Sequence, residues 1–409
     1  MKEPKIRFNE FKGEWKTPFI DEVFELRNGY TPSKAIDAFW KGGTIPWFRM
    51  EDIRENGGIL KDAIQHVTPL GIKGNGLFEK NSIILSTTAT IGVHAMLIAD
   101  SLANQRFTNF SIRKSLKNSY DPMFVYYSFF GIDEWSKKNT NSGGLLSVNI
   151  PFLLKQPFFT PSLAEQHSIA SFFTTLDAQI SASTSRLASL KQIKAASLQA
   201  MFPQEGETVP KLRFKGFEGE WEKVAIKDIA TFSKGRGYSK SDLRVVGTPI
   251  ILYGRMYTKY EVCITNVDTF VNPLPNSIYS LGNEVIMPAS GETPEDISCA
   301  SAIQVRGIIL GGDLNVLRFN IDCYDTTFIA LSLSIGKIKK DLSNMAQGKS
   351  VVHLHNSDIE KIEMFIPSFA EQRAIASFFT NLDRQITLQS QRLEKLKQIK
   401  AACLDKMFV

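Results

Sequence analysis

Several residue patterns in this chain resemble catalytic or binding motifs, and each stops short of one. Gly348-Lys349-Ser350 matches the close of a phosphate-binding loop, where backbone N–H groups cradle phosphates and a lysine neutralises them. The position that should hold that loop's first glycine is Ser343. Gly235-Arg236-Gly237 and Gly74-Asn75-Gly76 lack the third glycine of a dinucleotide fingerprint. No Asn-Pro-Pro-aromatic or Asp-Pro-Pro-aromatic run is present, so the usual amino-methyltransferase signature is missing. His353 and His355 alternate as strand neighbours do, and read as two partly exposed histidines rather than a metal pair. Ser86-Thr87-Thr88-Ala89-Thr90 presents hydroxyls, but no His or acid stands at motif spacing to activate one. Cys263, Cys299, Cys323 and Cys403 lie far apart without a C-x-x-C pair, which argues against zinc and fits a reducing cytoplasm. The expectation is a chain that catalyses nothing alone and holds no cofactor or metal.

Composition narrows the class without naming a partner. At 409 residues, 43% hydrophobic and 22% charged, the chain is too long for one ordinary core, so two or more domains are expected. No run of 18 apolar residues predicts a membrane span, and MKEPKIRFNEFKGEW has no apolar signal core. A cytoplasmic location is therefore expected. The formal charge of +6 favours a nucleic-acid partner only modestly.

The elements that would position any functional residue are written twice. The 42-residue segment 161–202, PSLAEQHSIASFFTTLDAQISASTSRLASLKQIKAASLQAMF, returns at 367–408, a shift of 206. PKIRFNEFKGEW at 4–15 returns as PKLRFKGFEGEW at 210–221, also shifted by 206. Each long segment opens with Pro-Ser-x-x-Glu, a partial capping box formed by Ser162 with Glu165 and Ser368 with Glu371. No Gly or Pro then interrupts, so each predicts a helix of about 60 Å at 1.5 Å per residue. One stripe carries Ile169, Phe173, Leu176, Ile180, Leu187, Leu190 and Met201; its copy carries Ile375, Phe379, Leu382, Ile386, Leu393, Leu396 and Met407. Spacings of three, four and seven suit helix packing, and two matching stripes predict that the helices pack on each other, antiparallel.

The intervening regions mix strands and helices. Short β-branched runs at 82–85, 93–98 and 107–112 predict strands in the first, and 249–253, 284–287, 301–305 and 315–319 in the second. Asp121-Pro122 reads as a helix cap and first position, with its counterpart at Tyr324-Asp325. Loops at 139–146 and 344–350 follow these helices, and 203–209 is a short polar linker.

Two variable regions, each followed by a repeated helix opening P-x-x-A-E-Q, resemble the specificity subunit of a type I restriction–modification enzyme. The matching residues are Ala164-Glu165-Gln166 and Ala370-Glu371-Gln372. Leu26–Ser33 (LRNGYTPS) is similar to that family's glycine-threonine-proline loop, and Ile45-Pro46-Trp47-Phe48-Arg49 with Asp52-Ile53 to the strand and turn after it. Residues 81–92 and Asn104-Gln105 add to the likeness. The second region departs: Phe232–Tyr238 (FSKGRGY) has no Thr-Pro, and no Pro-Trp follows.

The resemblance implies an α+β architecture. Two mixed α/β target-recognition domains (1–160 and 203–366) are separated by two long antiparallel coiled-coil helices (161–202 and 367–409), with a pseudo-twofold repeat. It implies a non-catalytic subunit that reads a bipartite, asymmetric double-stranded DNA target. The partners implied are two methyltransferase subunits and two restriction subunits, on which S-adenosylmethionine, ATP and magnesium belong. Within this picture the DNA contacts are assigned to loop residues able to reach bases or phosphates. These are Tyr30, Thr31, Lys34, Arg49, Thr88 and Arg106 in the first domain, and Lys234, Arg236, Tyr238, Tyr253, Arg255 and Lys349 in the second. A duplicated protein–protein adaptor with no DNA role, and an enzyme with an unrecognised site in each half, stand as alternatives. Salt-dependent binding of duplex DNA separates the first reading from the adaptor.

Overall fold

The computed structural model describes residues 3–74, 76–141, 146–348 and 350–409. Residues 142–145 of the loop expected at 139–146, and Lys349 of the one expected at 344–350, lie outside the described residues. The chain divides into two units: the residues up to Thr184 together with Arg392–Val409, and Ser185–Gln391. Each contains a mixed α/β domain and stretches of both long helices.

In the first unit the strands are β1 (Phe24–Asn28), β2 (Ile45–Phe48), β3 (Ile59–Leu60), β4 (His66–Val67), β5 (Ser82–Ser86), β6 (His94–Leu97), β7 (Leu102–Ala103) and β8 (Phe107–Ile112). They form a five-stranded sheet in the order β1-β8-β5-β6-β3 and a three-stranded one in the order β4-β2-β7. The expected strands at 82–85, 93–98 and 107–112 are the centre of the larger sheet. Their residues are buried almost throughout, as runs without polar alternation require.

The second unit adds β9 (Glu222–Ala225), β10 (Ala230–Lys234), β11 (Thr248–Ile251), β12 (Cys263–Ile264), β13 (Phe270–Val271), β14 (Tyr279–Leu281), β15 (Glu284–Pro288), β16 (Ser290–Gly291), β17 (Ser301–Ile303), β18 (Arg306–Leu310), β19 (Leu314–Phe319), β20 (Val352–His353) and β21 (Glu363–Ile366). Its main sheet runs β10-β19-β15-β17-β12, and a smaller one β13-β11-β18-β14. The main sheets therefore share one strand order, and the smaller sheet of the second unit matches that of the first with β14 added beside β18. The parallel pair β2–β7 recurs as β11–β18, and the parallel pair β3–β6 as β12–β17. Interiors that diverged in sequence kept the same hydrogen-bonded frame.

The long helices span Leu163–Ala200 and Phe369–Lys406. Ser162 and Ser368 accept from the N–H of Glu165 and Glu371, as the capping pattern predicts. The glutamates do not return the bond. Glu165 instead accepts two bonds from Arg7, at 2.7 and 2.8 Å, and Glu371 two from Arg213, at 2.8 and 2.6 Å. Each arginine also donates to a glycine carbonyl, Gly13 or Gly219, at 2.6 Å. Each guanidinium is held more firmly protonated by its glutamate.

The neighbouring glutamines are equally buried. Gln166 accepts from the Asp121 N–H and donates to Ser119 and Pro161 carbonyls; Gln372 does the same with Asp325, Cys323 and Pro367. Asp121 and Asp325 cap the helices Pro122–Lys138 and Thr326–Leu333. The repeated Ala-Glu-Gln thus clamps the domain opening and its main helix onto the long helix.

Within each unit the helix stretches run against each other with opposite polarity. In the first, the ring of Phe408 near one helix's end lies 5.8 Å from that of Phe173 near the other's start, and Lys400 pairs with Asp177 at 2.6 Å. In the second, the rings of Phe202 and Phe379 lie 6.1 Å apart, and Lys194 pairs with Asp383 at 2.5 Å. Leu176, Leu382 and Leu393 are buried, while Ile180, Leu187, Leu190, Ile386 and Leu396 are half-buried, so all eight stripe residues assigned to packing are at least partly covered. No helix among the described residues is long and apolar enough to cross a membrane.

Candidate nucleic-acid interface

One end of each main sheet gathers the loops that sequence reasoning selected. In the first unit β1 ends, β8 begins and β5 ends side by side: Asn28 faces Thr108, and Ser86 faces Phe107. Five backbone bonds beyond the strands tie the rim together. Gly29 N–H donates to Phe107 O, Tyr30 to Ala103, Asn104 to Phe48, Thr87 to Arg106, and Val148 to Thr87, at 2.8–3.0 Å.

The second unit repeats all five with different residues. Gly235 donates to Leu314, Arg236 to Leu310, Gly311 to Ile251, Ala289 to Asp313, and Leu354 to Ala289, at 2.7–3.0 Å. The rims therefore correspond residue by residue in hydrogen bonding. Gly29 matches Gly235, Tyr30 matches Arg236, Arg106 matches Asp313, and Thr88, bridged to Ser147, matches Ser290, paired with His353. The shared glycine has a steric cause. A Cβ on Gly29 would lie 2.1 Å from Asn104 O, and one on Gly235 would lie 1.9 Å from Gly311 O. Only glycine lets the first loop pass that close to the turn before β8 or β19.

The rims also store strain. Among the described residues the non-glycine positions with positive φ are Asn81, Ala89, Tyr238 and Asp313. Three of these, Ala89, Tyr238 and Asp313, lie in rim loops. Left-handed backbone costs roughly 1–2 kcal/mol for a residue such as alanine and persists where surrounding structure imposes it, often at functional sites.

The selected residues divide by what already occupies them. On the first rim Thr31 donates to Gln105 Oε1 at 2.5 Å. Lys34 and Arg49 lie 5.9 and 5.8 Å from the ring centre of Trp47, whose indole N–H donates to Tyr30 O. Arg49 Nε is buried without a hydrogen-bond partner, and Arg106 is exposed. Tyr30 is committed elsewhere: its hydroxyl accepts from Lys73 N–H at 2.8 Å and its ring packs in a small core with Trp47, Val67 and Leu102.

On the second rim Lys234 and Arg236 are exposed. The Tyr238 hydroxyl accepts from Leu274 N–H at 2.7 Å, and Tyr253 is half-buried against a hydrophobic core. The Arg255 side chain is 8% exposed and is paired with Glu261 at 2.6 Å and Asp268 at 3.1 Å. Lys349 lies outside the described residues. Sequence reasoning passed over Gln105, Asp313 and His353 as contact residues. Gln105 stands within the family likeness and His353 in the alternating histidine pair, whereas no local pattern marks Asp313, which only the strand register places on the rim.

The comparisons with known proteins agree with this duplicated layout. The family model described as "Type I restriction modification DNA specificity domain" matches twice, at residues 12–192 and 218–398. The type I restriction enzyme EcoprrI specificity subunit of Escherichia coli is 46% identical over 142 residues, covering 34% of this chain and 35% of that one. The MjaIX specificity subunit of Methanocaldococcus jannaschii is 23% identical across 96% of this chain and 92% of its own. The crystal structure of a type I restriction–modification system S subunit from M. genitalium has the same fold, with a TM-score of 0.61 and 17% identity over 100% of this chain and 99% of that one.

Proposed function

The chain belongs to the type I restriction–modification DNA specificity family, and from that premise we propose that each rim reads one half of a bipartite, asymmetric duplex target. It acts as a specificity subunit without catalysis of its own. The domains at 1–160 and 203–366 are the readers, and the helical segments at 161–202 and 367–409 set the unread gap between half-sites. Thr31, Lys34, Arg49, Thr88, Arg106, Lys234, Arg236 and Tyr253 face the DNA in this reading, as does Lys349. Tyr30, Tyr238 and Arg255 act one step back, because their polar groups already hold the loops in place.

The observation that carries the reading is the matched rim: five identical backbone bonds present different side chains. A constant frame with variable side chains is what two-part sequence readout requires, since backbone geometry fixes register and base-edge contacts specify. Charge supports unequal readers. Residues 1–160 carry 20 Lys and Arg against 16 Asp and Glu, whereas 203–366 carry 18 against 20. The first domain accordingly supplies more of the phosphate attraction.

Two methyltransferase and two restriction subunits complete the assembly in this proposal, and S-adenosylmethionine, ATP and magnesium reside on them, in the cytoplasm. The stretch Leu-Lys-Gln-Ile-Lys-Ala-Ala is identical in both helices, yet its Ile193 and Ile399 are 49% and 39% exposed. Apolar residues kept twice and left uncovered suit a partner that docks twice. The test is to replace residues 205–366 with the matching region of a relative and sequence methylated genomic DNA from cells expressing the complex. One half of the methylated sequence should change and the other stay. A change in both halves, or absence of salt-dependent duplex binding by the purified complex, would overturn the proposal, the latter in favour of a DNA-free adaptor.

A further inference from the structure

The register of the two rims puts opposite charges at one backbone position. Arg106 precedes β8 and Asp313 precedes β19; each carbonyl accepts the same rim bond, from Thr87 at 2.9 Å and from Ala289 at 2.7 Å. The strand registers agree, since the next residue faces the end of the central strand in both: Phe107 opposite Ser86, Leu314 opposite Pro288. Both side chains are exposed, and neither the Arg106 guanidinium nor the Asp313 carboxylate has a hydrogen bond or ion pair among the described residues. Asp313 follows Gly311-Gly312 and holds φ at +56°, a left-handed turn conformation that aspartate tolerates.

A free carboxylate on a surface that meets DNA is repelled by phosphates. It gains only where it faces a hydrogen-bond donor, and the major groove offers two, the exocyclic amino groups of cytosine and adenine. Carboxylates pair with cytosine N4; an arginine in the equivalent place pairs with guanine O6 and N7. Lys234 and Arg236, flanking Asp313 on the same rim, supply the phosphate attraction that lets the acid approach the groove.

Building on the reading of the rims as DNA readers, we propose that Asp313 is a specificity-determining residue that selects a cytosine in the second half-site through its N4 amino group. Arg106, at the matching position, selects a guanine in the first. The two half-sites then differ at corresponding places because one frame carries a donor in one copy and an acceptor in the other.

The experiment uses the complex of the full chain with its methyltransferase subunits, acting on duplex libraries randomised in either half-site. Asp313→Asn keeps the side-chain shape and adds an amide donor suited to adenine. It should shift preference from cytosine toward adenine at one position of the second half-site by roughly tenfold, leaving the first half-site as it was. Arg106→Gln should change one position of the first half-site alone. The untouched half-site in each variant reports an intact fold. An unaltered second half-site with Asp313→Asn would overturn the assignment, and so would a uniform loss over all sequences, which a supporting residue produces and a reader does not. Failure of the underlying reading looks different: the unsubstituted complex would then show no sequence preference in either half.

Discussion

Glu165 and Glu371 show how a short motif acquires a role that its local pattern conceals. Each is 1% exposed and is bonded twice by an arginine 158 residues earlier in the chain. Glu165→Gln removes the charge while keeping one acceptor, leaving Arg7 half-satisfied in a site from which water is largely excluded. The loss of one charge-assisted bond should cost about 1.5–3 kcal/mol, and Glu371→Gln should cost a similar amount because the geometry is repeated. Thermal melts of the two variants check this; a neutral result for either would mean that its clamp is ornamental. Gly29 and Gly235 make a second prediction at this scale. An added Cβ would meet a backbone carbonyl at 2.1 or 1.9 Å, so the loop or the facing turn must move. Gly29→Ala should weaken methylation that depends on the first half-site, and Gly235→Ala should do so for the second. Measured on duplexes with single half-site changes, an effect spread equally over both halves would contradict the assignment of one rim to each.

At the scale of the element, the long helices combine two kinds of contact. Their ends bring aromatic rings together, buried Phe173 with half-buried Phe408 and buried Phe379 with buried Phe202, while along their middles Ile180, Leu187, Leu190, Ile386 and Leu396 are half-buried and Leu393 is buried. Lys194–Asp383 and Lys400–Asp177 repeat at the same shift of 206, each joining two half-buried side chains across helices of opposite polarity. If the helices measure distance, inserting four residues after Ala188 should lengthen one by about 6 Å and rotate the stripe by only about 40°. The methylated target should keep both half-sequences and gain about two unread base pairs, at about 3.4 Å each. Methylome sequencing reads the gap directly. An unchanged gap in a folded, active complex would show the helices to be scaffold alone.

At the scale of the molecule, each unit closes the same junction, once covalently and once not. Leu212 N–H donates to Ala200 O at 2.8 Å beside the linker at 203–209; Ile6 N–H donates to Lys406 O at 2.9 Å between the chain's opening and its end. The first junction is joined by peptide and the second only by contacts. A chain opened within 203–209 and joined from Val409 to the N-terminus by a linker of similar length should therefore fold. Loop closure depends only weakly on which short loop is cut, so stability should change by about 1 kcal/mol or less. Preservation of the methylated sequence checks the fold; loss of folding would show that the covalent linker makes contacts the terminal junction lacks.

The duplication, the two helices with their stripes, the strands at the sheet centres and the absence of a catalytic motif could all be read from residue order. Each is a periodic or repeated signal carried by neighbours in the chain. The capping serines and Asp121 were legible for the same reason. What the order of residues could not reveal were the partners of side chains more than a hundred positions apart, as in the Arg7–Glu165 clamp. Nor could it reveal the burial of Arg255 between Glu261 and Asp268, or the anchoring of Tyr30 and Tyr238. The rim itself depended on register. Asp313 looks like an ordinary loop residue until strand pairing places it, because a β-sheet joins segments by backbone bonds that carry no sequence mark. The equivalence of Arg106 and Asp313 was hidden further by insertions that break the constant shift inside the domains. Only the tertiary hydrogen-bond frame, repeated where the sequence is not, brings them to the same place.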